Sequence, residues 1–173
     1  MGLESERERE FRISIVDPEQ IEALFSLARF LPRKRATLTL YRSQGEKTHT
    51  EINAILPETY IRPHKHINSP QTETFVPLRG MAELVTFSEE GEILQKVLVG
   101  RGAVAVAEVE TNTWYTLVAL SPFASLEVKV HPAGYNKEKD EVFAPWAPEE
   151  GMKEADIYFE NLRQKLGLSE ASE

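Results

Sequence analysis

The stretch RPHKHINSPQTETFVPLRG, residues 62–80, decides how this chain is read. On an extended strand alternate side chains share a face, so His64 and His66 project the same way. Asn68, Ser69 and Pro70 form a turn signal, so the next strand returns beside the first and brings Glu73 to the same interior. Gly80 then supplies a turn. Two imidazoles and one carboxylate converging on one cavity make a facial donor set. It suits Fe(II), Mn or Zn and leaves positions open for a further ligand. A lone His-x-His pair is more often exposed or hydrogen-bonded than metal-binding, and it is the glutamate and glycine that favour a site.

The sequence around this stretch is strand-like. From Ala36 to Val130 the chain reads as short β-type runs, among them ATLTLY, HTEINAIL, TETFVPLR, MAELVTF, EILQKVLV, WYTLVAL and SLEVKV. They are separated by Gly, Pro, Ser, Asn or charged turns, and no helical pattern interrupts them. Such spacing predicts a sandwich or barrel. Helices are predicted only at the two ends. Residues 17–31 carry Asp17 and Gln20 as a capping box, Pro18 in the first turn, and an apolar stripe of Ile21, Leu24, Phe25, Ala28 and Leu31. Pro32 stops that helix, and Arg33 to Arg35 suits its carboxyl end. Residues 152–168 repeat the pattern with Met152, Ala155, Phe159, Leu162 and Leu166, closed by Gly167. The reading divides the chain into a charged arm at 1–10, one domain at 11–151 that includes the first helix, and the second helix at 152–168.

Composition removes several function classes. The 173 residues suffice for one well-buried core, and 41% hydrophobic with 28% charged residues is ordinary for a globular domain. A net charge of −8 argues against a nucleic-acid or anionic-membrane binder, which would show a basic face. No cysteine is present, so any metal must take nitrogen or oxygen ligands. No apolar run approaches the ~20 residues that span a bilayer, and the start MGLESERERE is charged where a signal peptide is apolar. A cytoplasmic protein with no membrane or nucleic-acid partner is the expectation.

The motif residues resemble a known family. His64, His66, Glu73 and Gly80 are similar to the first cupin motif, with a longer gap between the second histidine and the glutamate than its commonest form has. TYIRPHKH at 59–66, WYTLVAL at 114–120, EVK at 127–129 and APWAPEEG at 144–151 resemble the WbuC-type cupin-fold metalloproteins. That similarity runs from Ile21 to Gly151. It implies a mainly β fold, a cupin double-stranded β-helix barrel with an amino-terminal and a carboxyl-terminal helix, and a metal in the barrel mouth. The ligand positions carry over to His64, His66 and Glu73. Tyr115 falls where the family has its last ligand, a histidine; Tyr41 stands where it tends to have histidine, and Gln71 where it tends to have lysine. Members often accompany polysaccharide or O-antigen biosynthesis genes, which implies a sugar-derived small molecule and supplies no reaction.

Tyr115 leaves three roles open. As a phenolate it is a fourth ligand and the one positioned candidate for a catalytic group; as a neutral phenol it donates a hydrogen bond; or it fills the cavity of a lost metal site. Strand parity puts it on one face with Leu117 and Ala119, pointing inward, with Trp114 turned away. Arg62 and Lys129 are candidates for the substrate pocket, where they would hold an anionic ligand. His49 and His131 read as surface or structural residues, and Trp146 as a plug for the barrel wall. An enzyme, a ligand-binding module and a structural cupin with a degenerate site all fit this pattern. A homodimer through a barrel edge or the carboxyl-terminal helix is the expectation, because the narrow seam of Met152, Phe159, Leu162 and Leu166 needs a cover; the chain's own barrel is the alternative cover.

Overall fold

The structure, a computed structural model, describes residues 15–43, 45–67, 72–130 and 140–168. Asp17 opens helix α1 (Pro18–Phe30): its side chain accepts a hydrogen bond from the Gln20 amide, and its own amide donates one to Gln20 Oε1. Among the described residues ten strands follow: β1 (Arg35–Thr39), β2 (Thr48–Ile55), β3 (His64–His66), β4 (Glu73–Arg79), β5 (Met81–Phe87), β6 (Ile93–Gly100), β7 (Ala107–Val109), β8 (Trp114–Ala119), β9 (Phe123–Val130) and β10 (Glu141–Phe143). Helix α2 (Lys153–Leu166) ends at Gly167, which adopts the left-handed conformation that glycine enters without steric cost.

The strands form two five-stranded antiparallel sheets, ordered β1-β2-β9-β4-β7 and β10-β3-β8-β5-β6. Only the β1–β2 and β5–β6 pairs are sequential neighbours within a sheet. Every other connection carries the chain from one sheet to the other, so the two sheets wind together into a cupin double-stranded β-helix barrel. Gly80 turns β4 into β5 at φ 73°, and a Cβ there would collide with the Pro122 carbonyl. Glycine is required on both counts.

Three apolar clusters follow from strand parity. Ile55, Phe75, Leu84, Val99, Leu117 and Phe123 face one another inside the barrel. On the outer face of the first sheet, Leu24, Phe25 and Ala28 of α1 pack against Ala36, Ile52, Ala54 and Ala124. On the outer face of the second, Phe159, Leu162 and Leu166 of α2 pack against Val85, Phe87, Trp114 and Val118. Strand β8 therefore has no exposed face: every residue from Trp114 to Ala119 is buried. Trp146 packs in the α2 cluster as the expected plug, near Phe87 and Trp114.

Packing decides two alternatives that the sequence left open. The α2 seam is covered by the chain's own barrel through Phe159, Leu162 and Leu166, while Met152 is half exposed, so the seam gives no ground for a homodimer. In the basic run, Lys34 Nζ does donate to the Arg29 carbonyl near the end of α1 (2.8 Å). Arg33 and Arg35 instead reach Glu150, at 2.5 and 3.1 Å. Glu150 also accepts from the Arg62 amide at 3.2 Å, and Tyr60 Oη donates to the Pro148 carbonyl at 2.9 Å. These bonds fasten the WAPEEG segment across the start of β1. Among the described residues no helix is long and apolar enough to cross a membrane.

Phe25→Ala removes a fully buried ring from the α1 cluster and should lower unfolding stability by about 3–4 kcal/mol. Leu27→Ala, on the half-exposed face of the same helix, should cost less than about 0.5 kcal/mol. Denaturant titration of both variants checks the pair, and equal losses would contradict the packing of α1.

Candidate metal centre

Strand pairing places the donors. In β3 the outward Lys65 lies over the Trp114 ring at 4.4 Å and pairs with Glu89 at 3.0 Å, while Trp114 Nε1 donates to the same glutamate at 2.9 Å. With Lys65 pinned outside, His64 and His66 must face in. His64 stands opposite Tyr115 across the β3–β8 pair. Glu73 opens β4 opposite Lys129 of β9. The turn between His66 and Glu73 lies outside the described residues, as do Gln71 and His131.

The side chains meet as the sequence predicts for His64, His66 and Glu73: one donor atom from each lies within 4.8 Å of the others. Tyr115 brings its hydroxyl into the same cluster. Tyr115 Oη lies 3.0 Å from His64 Nε2 and 3.1 Å from His66 Nε2, and it donates a hydrogen bond to Glu73 Oε2. Glu73 Oε2 is in turn 3.2 Å from His66 Nε2. Donor atoms around an octahedral metal with bonds of about 2.1 Å stand about 3.0 Å apart along its edges. The Tyr115–His64, Tyr115–His66 and Glu73–His66 spacings are of that length, whereas the Tyr115 hydroxyl closes directly on Glu73.

The fit is close but uneven. His64 Nδ1 lies 3.0 Å from the Arg62 carbonyl, which can only accept, so Nδ1 carries the proton and Nε2 offers its lone pair. Burial pushes the His64 imidazole toward its neutral, ligating form, against the raising influence of Glu141 and Glu73. His66 lacks that support: its Nδ1 is buried without a hydrogen-bond partner among the described residues. A ligating histidine normally donates from its second nitrogen, and losing such a partner weakens metal binding about 10–100-fold.

Charge around the centre is heavily coupled. Burial alone would raise the Glu73 carboxyl, but the Lys129 ammonium and the bonds from His66 and Tyr115 override it and hold Glu73 well below its usual range. Burial and the neighbouring Glu73 charge push the Tyr115 phenol well above 10. Burial, reinforced by Glu73 and Glu51 against the opposing pull of Lys129, pushes the Glu127 carboxyl up to about 8. Burial would lower the Lys129 ammonium, but Glu73, Glu127 and Glu51 raise it well above its ordinary value.

Beside the donors lies a cavity of about 330 Å³, with His64, Glu73 and Tyr115 in its wall. Ile55, Ile61, Phe75 and Leu117 give it apolar surface, and Thr37, Thr39, Tyr41, Asn53 and Ser125 give it neutral polar groups. Of the two residues read as pocket candidates, Lys129 lines this cavity and Arg62 does not: Arg62 bonds the Ala144 carbonyl at 3.1 Å and lies over Phe143 at 5.3 Å. The arginines that do line the cavity are Arg33 and Arg35. Tyr41 reaches the cavity and stacks on the buried His49 ring at 4.0 Å. Glu51 and Glu127 escaped the sequence reading. Their signal was present in two charged residues, Glu127 and Lys129, spaced two apart on the inward face of an otherwise apolar strand.

The matching family model, described as a domain of unknown function (DUF6016), covers residues 16–99. No curated protein matches the chain. Among solved structures, a Shewanella oneidensis protein is similar over 79% of this chain and 85% of its own, at 11% identity and a TM-score of 0.50. A cupin superfamily protein from Desulfitobacterium hafniense is similar over 57% of this chain and 78% of its own, at 11% identity and TM-score 0.45. An uncharacterised protein from Klebsiella pneumoniae, with a double-stranded β-helix domain, is similar over 64% and 84%, at 14% identity and TM-score 0.47. At such identities the likeness concerns fold alone.

Glu127 gives a pH signature of the metal-free protein. In the folded chain its carboxyl protonates near pH 8, whereas an unfolded glutamate does so near about 4.3. Between those values the folded state holds more protons than the unfolded, so this group's contribution to stability falls as pH rises. Glu127→Gln should flatten the fall between about pH 5 and pH 8 and leave the variant relatively more stable at the alkaline end. Unfolding curves of both proteins across that range check it, and parallel profiles would contradict it.

Proposed function

We propose that this chain is a metal-binding cupin. In this reading His64, His66 and Glu73 hold one divalent transition metal (iron, manganese or zinc), Tyr115 is the fourth donor, and a small molecule occupies the adjoining cavity. The observation that carries it is the convergence of His64, His66 and Glu73, whose donor atoms lie within 4.8 Å of one another beside that cavity. A bound metal would supply Lewis acidity, or an oxygen-binding centre if it is iron. The chain's own groups orient the ligand: neutral hydroxyls and the Asn53 amide line one wall, and Glu51, Glu127 and Lys129 line the next. That lining supports a polyhydroxylated, sugar-derived ligand, in keeping with the WbuC-type resemblance. The acidic composition supports a cytoplasmic setting without nucleic-acid or membrane partners.

One observation favours a second reading, a non-catalytic or structural cupin with a degenerate site. Tyr115 Oη already lies within hydrogen-bonding distance of His64, His66 and Glu73, so the cluster closes on itself without a metal.

Titration of the metal-stripped protein with Zn(II) separates the readings. The metal reading expects His64→Ala and His66→Ala to remove most of the binding, since each deletes a strong donor. It expects Tyr115→His to bind more tightly, because a neutral imidazole ligates without the deprotonation a buried phenol requires. No uptake by the wild type, with Tyr115→His altering only thermal stability, would establish the second reading.

A homodimer formed through a barrel edge is the assembly we propose. Sedimentation at tens of micromolar should give twice the monomer mass, and a monomer there would rule it out.

A further inference from the structure

Behind the donor cluster, three strands of the first sheet carry a second set of charges. Across β2, β9 and β4 the register aligns His49, Lys129 and Glu73 in one row, and Glu51, Glu127 and Phe75 in the next. Lys129 Nζ stands 2.6 Å from Glu51 Oε1, 3.1 Å from Glu73 Oε1 and 3.6 Å from Glu127 Oε2. Asn53 Nδ2 donates to Glu127 Oε2 at 2.6 Å and to Glu51 Oε1 at 3.2 Å, and Ser125 Oγ donates to Glu127 Oε1 at 2.9 Å. The cluster is interior: the Glu73, Glu127 and Glu51 side chains are 3%, 7% and 13% exposed.

Glu73 is thus divided between two partners. Its Oε1 faces Lys129, while its Oε2 faces His66 and Tyr115. We propose that Lys129 is a positioning residue that makes Glu73 a one-oxygen ligand and fixes the centre at a single metal ion. The inference rests on the metal reading above and goes beyond it.

Two physical arguments carry it. An ammonium has three N–H donors and no acceptor, so it matches three converging carboxylates and holds Oε1 away from the donor cluster. It also takes the place that a second divalent cation would otherwise find. Three carboxylates around one point, steadied by an amide and a hydroxyl, are an oxygen-donor site for a hard cation once the ammonium is gone. Glu73 would then bridge two ions through its two oxygens. Lys129 is the chain's built-in occupant of that second position.

The test uses Mn(II) alone, with binding stoichiometry, affinity and the electron paramagnetic resonance spectrum as readouts on the full chain. Wild type should bind one ion per chain and show the resolved hyperfine lines of an isolated centre. Lys129→Met, close in length and uncharged, should bind its first ion about 10–100-fold more weakly, the range for loss of a group orienting a ligand. At higher Mn(II) it should take up a second ion and lose the resolved lines as the two ions couple. Lys129→Arg should keep one ion per chain, because the charge remains. Lys129→Met combined with Glu51→Gln, which removes one of the unbalanced carboxylates, should keep the weak first site and lose the second.

Wild-type affinity with an isolated-ion spectrum in Lys129→Met overturns the proposal. Should that single variant fail to fold, wild-type first-ion affinity in the double variant overturns it instead. His64→Ala distinguishes the two levels of the argument. If wild type binds Mn(II), His64→Ala does not, and Lys129→Met behaves as wild type, only the role of Lys129 falls. If wild type takes up no Mn(II), the metal reading and the Lys129 proposal fall together.

Discussion

An ionised carboxylate buried inside a barrel must be paired, and the pairing of Glu73 with Lys129 is the constraint around which this interior is arranged. Taking either charge out of water costs several kcal/mol even after relaxation, and only close geometry with further hydrogen bonds offsets it. The register supplies that geometry, because Glu73 and Lys129 stand directly opposite on paired strands. Lys129 then needs more negative charge than one partner gives, and Glu51 and Glu127 converge on it. Burial with the neighbouring Glu73 and Glu51 pushes the Glu127 carboxyl up to about 8, and two acidic side chains face each other across β2 and β9, an arrangement that is unfavourable whenever both are charged. It persists because the ammonium lies between them and the Asn53 amide bonds both.

The rest of the barrel supports this polar cluster by being apolar elsewhere. Phe75 and Leu117 line both the cavity and the core, and the interior continues away from the metal centre through Leu84, Val99 and Phe123. The helices cover the outer faces, so β8 is buried on both sides and cannot shift its register without moving an aromatic cluster. Donor groups on such strands are held more precisely than groups on loops. Tyr115 and His64 sit opposite each other on two of these strands.

Local chemistry made much of this legible in the sequence. The capping box at Asp17 and Gln20, the glycine that ends α2, and the stripe of Leu24, Phe25 and Ala28 all depend on residues a few positions apart. The inward parity of His64, His66 and Tyr115 follows from the two-residue period of a strand. What stayed hidden depends on partners far apart in the chain. Glu51 is 78 residues from Lys129, and Arg35 is 115 from Glu150; strand order decides such pairs, and no local pattern encodes it. The α2 seam shows the same limit from the other side. Its apolar spacing announced that a cover was needed, but the choice between a second copy and the barrel belonged to tertiary packing. Arg62 was misplaced for a related reason, since its neighbours are Phe143, the last residue of the edge strand β10, and Ala144 just after it.

The tyrosine of the donor cluster can be understood from side-chain length. A phenol carries its oxygen farther from the backbone than an imidazole carries Nε2. A histidine at this point of β8 would stop at the rim of the donor set, leaving a central space for an ion. Tyr115 extends past that rim, which is why its hydroxyl lies about equally far from both imidazoles and bonds the Glu73 carboxylate. The phenol would therefore compete with a metal for the centre unless it became a ligand. To become one it must lose a proton that burial and the Glu73 charge both hold in place. A divalent metal held by His64, His66 and Glu73 would supply the opposing field, since its charge would offset that of Glu73 and favour the phenolate. Metal entry, phenol deprotonation and the division of Glu73 between metal and Lys129 would therefore be one coupled event, its balance set by five side chains fixed on four strands: His64 and His66, Glu73, Tyr115 and Lys129.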